Sequence, residues 1–514
     1  MARKDLFRRR RLRATCDTED RLSALPDDLL LLILRRLDSR TAHGAGALSK
    51  RWAHLPRELT VLDLKVTDTL PQRYRRCILL LRESRKSTGI CHFAPKLTDI
   101  AGRYQRRAMR SMVASVRSLL ASGEGAHRHV DGLSLEFFAE TTSACINSLI
   151  VEAVDSWGVK DLVLVATPTE RIMYPHPPVY SFPHGCISRK PGESRLQSIK
   201  LSNCLPPPLE GFTALTTLVL QDLPASTPSA VYERVIAACP QLQILHLISC
   251  KYYKRKLILN APMSGIRELL VDGLVVIVEL HSLPKLQSLT VLHATLLSSS
   301  AASPCLEHVS FVFSVGQREG SYPYHLKLDN IAGRLTRFFQ AATSVTDVAL
   351  RFDGPGMWIA LKSPVSPMAN VRRLLLADVP SCWDGSASGP HLLIDAAPLL
   401  ESIHVHLLES EEEPLNQKML WLPSPAGRHH RHLKELLVVG FRATRRRDLH
   451  LVRYVVQVST ALSRVALFRH GHVRKKGPCG WEMVTPQSKW SYLDKLAVDR
   501  ICSSSMAQIE VVLG

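Results

Sequence analysis

The apolar positions of this chain follow two patterns, one near its start and another repeated along most of its length. Leu29 to Leu34 contains no polar residue and is preceded by Leu25-Pro26-Asp27-Asp28. That preface predicts a helix start. Pro26 sits where a missing N–H costs nothing, and the two acids lie beside the free amides and the positive end of the helix dipole. A helix that is apolar round its whole circumference has to be covered on every side. A short, Gly-interrupted helix is predicted around Thr41 to Leu48, and a third from Ser49 to Leu55 with Ser49 as N-cap. A unit of about 40 residues is too small to bury the first helix alone. Either the rest of the chain covers it or a partner protein does.

The second pattern is apolar-x-x-apolar-x-apolar. It runs through Val130-Leu133-Leu135, Val159-Leu162-Leu164, Leu196-Ile199-Leu201, Leu215-Leu218-Leu220, Leu242-Leu245-Leu247, Ile266-Leu269-Val271 and Leu286-Leu289-Val291. It continues through Leu306-Val309-Phe311, Val345-Val348-Leu350, Val371-Leu374-Leu376, Leu400-Ile403-Val405, Leu433-Leu436-Val438 and Leu462-Val465-Leu467. Successive copies start 19 to 39 residues apart. An apolar pair two residues apart puts both side chains on one face of a short strand. Amphipathic helices are predicted between some copies, at Ser143 to Trp157 with Gly158 as the stop, and at Asp329 to Ala342. One strand plus one helix or loop per repeat is the logic of a leucine-rich-repeat solenoid, whose stacked units share one core. Leu196 and Leu242 are each followed eight residues on by Cys (Cys204, Cys250), where such repeats often have Asn or Cys; Leu274, Val379 and Phe441 break the rule, so the array is irregular. An ordinary α/β domain with recurrent strands is the alternative.

Between the two patterns, residues 58–129 open with the alternation Leu59-x-x-Leu62-x-Leu64 and then read as basic and mainly helical. Met109, Met112, Val113, Val116, Leu119 and Leu120 form an apolar stripe, with Arg106, Arg107, Arg110 and Arg117 off it. Long insertions are expected at 168–192, rich in Pro and aromatic residues, at 314–324 and at 381–390.

The opening pattern carries a resemblance. Leu25-Pro26-x-x-Leu29-Leu30-x-x-Ile33-Leu34-x-x-Leu37, followed by Leu48-Ser49-Lys50-Arg51-Trp52, resembles an F-box. The departure is His43-Gly44-Ala45-Gly46, where many members carry larger apolar residues. The resemblance implies a three-helix module that docks on the Skp-type adaptor of a cullin-RING (SCF-type) ubiquitin ligase. It implies Leu25, Pro26, Leu29, Leu30, Ile33, Leu34, Leu48 and Trp52 as the docking and supporting set. The end of the chain, His432-Leu433-Lys434-Glu435-Leu436 to Gly440-Phe441, a helix around Asp448 to Leu462, Val465-x-Leu467, a loop with Trp481 and Trp490, and a last strand near Ile509 to Leu513, resembles the terminal region of plant F-box proteins of the FBD type. The expected fold is α/β, a small three-helix F-box followed by an irregular leucine-rich-repeat solenoid with a C-terminal cap. The expected division is 1–19 a basic disordered tail, 20–57 the F-box, 58–129 the bridge, 130–431 the repeat array and 432–514 the FBD-like repeats and cap. The implied role is a non-catalytic substrate receptor. A basic nucleic-acid-binding protein and a non-degradative Skp-binding scaffold are the alternatives.

Composition narrows the setting. Hydrophobic residues make up 46% of the 514, which excludes a wholly disordered chain. The net charge of +20 is concentrated at residues 1–13, with seven basic residues against Asp5, and around 71–130. Arg8 to Arg13 reads as a solvated tail or a nuclear import signal. The twelve cysteines form no C-x-x-C pair, and Cys145, Cys204, Cys239 and Cys250 lie in apolar surroundings, read as core positions in a reducing compartment. With no signal peptide, glycosylation motif or spanning segment, a soluble protein of cytoplasm or nucleus is expected. No phosphate loop, dinucleotide fingerprint, nucleophile elbow or zincin motif occurs, so no cofactor is expected. His404-x-His406, His429-His430-x-His432 and His470-x-His472 lack a fourth ligand at a sensible spacing. If the template residues point inward, Lys200, Val219, His246, Thr290, Ser310, Ala349, Leu375, His404 and Leu437 form an outward row on the strand surface. Lys200, His246, Thr290, Ser310, Leu375 and His404 are the candidate target contacts, since this mixed row suits a protein better than a phosphate backbone.

Overall fold

The computed structural model describes residues 22, 24–86, 94–121, 130–139, 143–168, 179–182, 187–224, 226–250, 256–273, 277–293, 295–298, 303–314, 328–353, 368–380, 390–408, 430–477, 480–503 and 508–514. The basic tail of residues 1–19, most of the three expected insertions, the acidic run Glu409 to Glu413 and His429 lie outside them.

The recurrent template folds into recurrent strands. Fifteen described strands form one sheet whose spatial order follows the chain, from Val61–Lys65 through Gly132–Phe138 and Asp161–Thr167 to Arg464–Phe468, with Glu510–Leu513 added at the end. Every neighbouring pair is parallel. The three apolar positions of all thirteen template copies are at most 3% exposed. They belong to one continuous core running from Leu62 to Cys502. Leu59, Leu62 and Leu64 obey the same template, and Val61–Lys65 pairs in register with Gly132–Phe138, so the sheet begins one strand before the first copy counted in the sequence.

Each parallel step needs a return segment, and the chain uses helices, loops and strands for it. Helix α1 is Asp27–Leu34 and α2 Ser39–Ala45; α3 (Gln72–Lys86) and α4 (Ala94–Ala121) fill the step after the first strand. Met109, Met112, Val113 and Val116 of α4 are buried in the main core, while Cys77, Ile78, Leu81 and Ala101 form a small core between α3 and α4. The expected amphipathic helices are α5 (Ser143–Asp155) and, after α6 (Ser229–Ala238), α7 (Leu328–Ala341). Gly158 takes φ +67° just past α5, the left-handed stop that glycine supplies. Later returns hold α8 (His391–Asp395), α9 (Arg446–Val458) and α10 (Tyr492–Cys502). Three successive returns are strands instead. Lys256–Asn260, Ile277–Ser282 and Thr295–Ser298 make a second small parallel sheet, which the sequence reading missed.

A turn recurs at one register position after the strands. Asn203, Asp222, Ser249, His293 and Asp378 all have φ between 51° and 58°, and Gly440 has 81°. Polar residues that tolerate this region occupy five of these six places. At Gly440 a Cβ would run into the Leu407 carbonyl, so glycine is required there. The cysteines that follow two of the turns have a physical job. Cys250 Sγ donates to the Leu220 and Ile248 carbonyls at 3.4 and 3.5 Å, and Cys204 Sγ to Ser202 O at 3.3 Å. Burial pushes the Cys204 thiol up to about 12, so it stays protonated. Cys145 departs from expectation. It is exposed, because the buried stripe of α5 runs through Ile146, Leu149, Ile150 and Ala153.

Candidate functional site

Two surfaces collect the candidate residues. The first is the N-terminal module. Pro26 is the N-cap of α1, and its carbonyl accepts from the Leu29 and Leu30 amides at 3.1 Å each. Asp38 caps α2 by accepting from the Thr41 amide at 2.9 Å. The third helix expected at Ser49 to Leu55 is not an α-helix. The chain there makes turns and then a short 3₁₀ helix, Leu55–Glu58, in which Pro56 leaves no amide for an α-type bond. Ser49 still acts as a local cap, its Oγ accepting from the Trp52 amide at 3.4 Å. Arg51 ties this segment to the start of α1, donating to Leu25 O at 2.5 Å and to Asp27 Oδ1 at 3.1 Å.

The apolar circumference of α1 is divided between an inner and an outer half. Leu30 and Leu34, four apart, are fully buried with Ala42, Trp52, Leu55 and Leu59 in a core of the module's own, and Leu25 packs half-buried against it. Leu29, Leu32 and Ile33 share the opposite side and are 45%, 52% and 37% exposed; Leu37, just past α1, and Leu48, just past α2, reach 41% and 74%. Pro26 is exposed as well. Covering on every side, which the sequence required, is therefore met on one side only. Of the eight predicted docking and supporting residues, Leu30, Leu34 and Trp52 are interior, while Pro26, Leu29, Ile33 and Leu48 face outward. Leu32 and Leu37 join them, though neither was in that set. The module is coupled to the sheet by the Asp63 amide, which donates to Ser39 Oγ at 2.6 Å.

The second surface is the strand face opposite the core. Lys200, Val219, His246, Thr290, Ser310, Ala349, Leu375, His404 and Leu437 stand on one register row, with Leu270 completing it between His246 and Thr290. Exposure along the row is uneven. Lys200, Leu375 and His404 are half-buried, whereas His246, Thr290 and Ser310 are buried. His246 shares a hydrogen bond with Glu268 at 2.6 Å, and His404 lies 3.6 Å from Glu435. Ser310 is covered from far along the chain: the Trp481 indole N–H donates to its Oγ at 2.8 Å.

Trp481 was expected in a loop. It stands instead on a hairpin, His472–Lys476 paired antiparallel with Gly480–Val484. Arg351 lies 4.9 Å from the Trp481 ring centre, and Asp378 holds that guanidinium at 2.5 Å while also meeting His406 at 2.8 Å. Burial alone would raise the Asp378 carboxyl, but His406 and Arg351 beside it hold it below its ordinary value. Beside Trp481 lies a cavity of about 410 Å³ over Ser310, Ala349, Leu375 and His404, edged by His308, Asp347 and Arg373. Sequence reasoning found its floor and missed its edge and wall. The alternation Asp347-x-Ala349-x-Arg351 was the available signal for the edge; nothing local places the hairpin 171 residues away.

The remaining histidine motifs separate. His430 is buried 3.9 Å from Asp395, whose carboxylate also accepts from the Tyr454 hydroxyl. Burial would raise that carboxyl too, but His430 nearby and the hydrogen bond from Tyr454 hold it below its ordinary value. Among the described residues no group of three or more His, Cys, Asp or Glu side chains is placed to hold a metal ion, and no helix is long and apolar enough to cross a membrane.

The chain matches none of the curated proteins. Its family match falls on the N-terminal module, ending inside the first strand of the sheet: residues 22–62 are an F-box domain, and the chain is in that sense an F-box protein.

Proposed function

We propose that this chain is the substrate-recognition subunit of an SCF-type ubiquitin ligase. Its F-box docks on a Skp-type adaptor, and through it on a cullin, while the strand array holds a target protein for ubiquitination. The observation that carries this reading is the exposed stripe Leu29, Leu32, Ile33 and Leu37, with Leu48 also exposed, on a module whose own core uses only the other side of α1. An exposed apolar stripe of this kind marks a protein-docking site. Pro26, Leu29, Ile33 and Leu48 are contacts, joined by Leu32 and Leu37; Leu25, Leu30, Leu34 and Trp52 hold that surface in shape from behind. The chain itself makes no bond. It raises the effective concentration of target near the ubiquitin-loaded enzyme.

The array is, in the same reading, a leucine-rich-repeat solenoid over 130–431. Residues 58–129 bridge it to the F-box, and 432–514 form an FBD-like end that caps its core. The chain-ordered parallel strands and their shared core support this. On the strand face, Lys200, Leu375 and His404 offer the accessible contacts to a target. His246, Thr290 and Ser310 support them from beneath. The compartment is the cytoplasm or nucleus.

The test is co-elution of the full chain with purified adaptor. Leu29→Glu combined with Leu48→Glu should abolish it while leaving the circular dichroism spectrum unchanged. Undiminished co-elution of the double variant sinks the assignment. Leu30 is unsuited to this test because a charge there would unfold the module. A nucleic-acid-binding reading draws on the basic α3 and α4, which carry Arg73, Arg75, Arg76, Arg103, Arg106, Arg107 and Arg110. It requires binding that weakens steeply with salt. Reconstituted ubiquitination of a captured target separates a receptor from a scaffold.

A further inference from the structure

The cavity beside Trp481 has the build of a side-chain subsite, and its chemistry narrows what enters it. We infer that it receives a peptide segment of the target, with a large apolar side chain over Ser310 and Ala349 and a neighbouring carboxylate on Arg373. This rests on the reading of the array as a target receptor.

The floor is a depression made by sequence. Along the register row Leu270, Leu375 and Leu437 are large, whereas Ser310 and Ala349, on adjacent strands, are small. The wall is pre-set. Trp481 is held by Ser310 on one edge and by Arg351 on its face, and Arg351 is in turn fixed by Asp378. The hairpin that carries Trp481 is seated at its base by Gly471, at φ +152°, where any Cβ would strike the Val484 carbonyl and the Val439 side chain. A wall fixed before binding adds affinity by lowering the ordering cost. At about 410 Å³ the cavity is of the size that takes one large side chain with its flanking backbone. The floor crosses four adjacent strands, roughly 14 Å between the first and last at ~4.8 Å spacing, which about four extended residues span.

The charge comes from Arg373. It lies on the cavity edge with its side chain 66% exposed, and its Nε–H donates to Asp347. Its terminal nitrogens make no hydrogen bond among the described residues, so the outer fork is open to a carboxylate, the geometry that guanidinium matches best. Asp347 also lies 3.3 Å from His308 and accepts from the Thr346 hydroxyl at 2.8 Å, so the one carboxylate that lines the cavity among the described residues is already engaged by three cationic or neutral partners. An incoming acid meets no unpaired negative charge. An incoming lysine would have to displace Arg373 from Asp347.

A phage-displayed random heptapeptide library, selected on the full chain with its adaptor bound, tests this without a known target. The expected result is enrichment of peptides that pair a large aliphatic or aromatic residue with Asp or Glu. Recovery should fall at least tenfold on Ala349→Trp, which fills the depression. Selection on Arg373→Glu, at an exposed position that tolerates change, should replace the acid by Lys or Arg. Peptides that bind Arg373→Glu or Ala349→Trp as well as the parent overturn the inference. So does a lack of enrichment while the adaptor still co-elutes, which leaves the receptor reading standing. Loss of adaptor binding by the unmodified chain overturns that reading itself, and the inference with it.

Discussion

The F-box and the strand array solve the same burial problem in opposite ways. In the array each unit lends its apolar face to its neighbours, and one core runs from Leu62 to Cys502. In the F-box six buried residues close a separate core, and as many large aliphatic side chains remain outside, among them Leu29, Leu32, Ile33, Leu37 and Leu48. The array thus satisfies its apolar residues through its own length, whereas the module leaves its outer ones exposed, to be covered in the proposed reading by another protein. This contrast separates substitutions that report on stability from those that report on partnership. A buried leucine in either region reports on folding, whereas an exposed one in the F-box reports on docking.

The largest effect belongs to the array. Phe352 is fully buried and stacks on Phe313 at 5.9 Å, which stacks in turn on Phe311 at 6.0 Å, where Phe338 and Phe339 of α7 meet it edge-on. Phe352→Ala removes the end of that stack and should cost about 3–5 kcal/mol. Hydrogen exchange is the informative readout. Protection should fall first across His308–Ser314, Asp347–Asp353 and Arg373–Val379, while the amides of α1 and α2 keep theirs. Simultaneous loss in the F-box would break the comparison, because it would make the two cores one cooperative unit.

The array also buries charge, which the F-box does not: Asp27, Asp28 and Asp38 are all exposed. Asp448, in the first turn of α9, is completely buried, and burial raises its carboxyl from 3.8 to about 6, against the pull of the Arg442 amide at 3.0 Å and of Arg447. A carboxyl raised on folding binds its proton more tightly in the native state. Its contribution is therefore fully present below about pH 4 and is lost as pH rises through about 6. Asp448→Asn should remove this dependence. The stability of the parent minus that of the variant should fall by on the order of 3 kcal/mol between pH 4 and pH 7. Taking the difference matters, since Asp378 and Asp395 are depressed and act in the opposite direction, losing their contribution as pH falls. A pH-independent difference would show that Arg447 neutralises Asp448 in place.

How much of this was legible follows from the range of the forces involved. The template residues were readable because a strand's period is local and every copy must bury the same positions; all thirteen copies did. The outward row followed from the same period; Leu270 was missed inside it, and Ser134, Val163 and Ala466 at its ends. Within the F-box, sequence identified the helix but not its sidedness. Six consecutive apolar residues carry no periodicity, so only packing against Trp52 and Leu55 could single out Leu30 and Leu34. The hairpin over Ser310 was illegible for another reason. Trp481 and Ser310 are linked by a hydrogen bond across 171 residues, and neither local sequence names the other. The second small sheet was missed because Lys256–Asn260 and Ile277–Ser282 fall between copies of the template and carry no copy of it themselves.

The smallest stability effect is the one that discriminates best. Leu32 lies on the outer side of α1, 52% exposed, with no place in the module's core. Leu32→Ser exchanges an exposed apolar side chain for a polar one and loses a little helix propensity, a net change within about 0.5 kcal/mol. Leu30→Ala, two residues earlier, opens a cavity in a core of six residues and should cost about 2–5 kcal/mol. Both should weaken adaptor binding, but by routes that separate on titration. For Leu32→Ser the free chain keeps its melting profile, and the lost burial appears as a roughly tenfold weaker Kd, the ~1.4 kcal/mol expected of a half-exposed leucine covered by a partner. For Leu30→Ala the free module melts early, and affinity recovers on cooling as the folded fraction rises. An adaptor that binds Leu32→Ser and the parent equally well would mean that the exposed side of α1 faces solvent in the complex, and the docking surface would then have to be sought around Leu48.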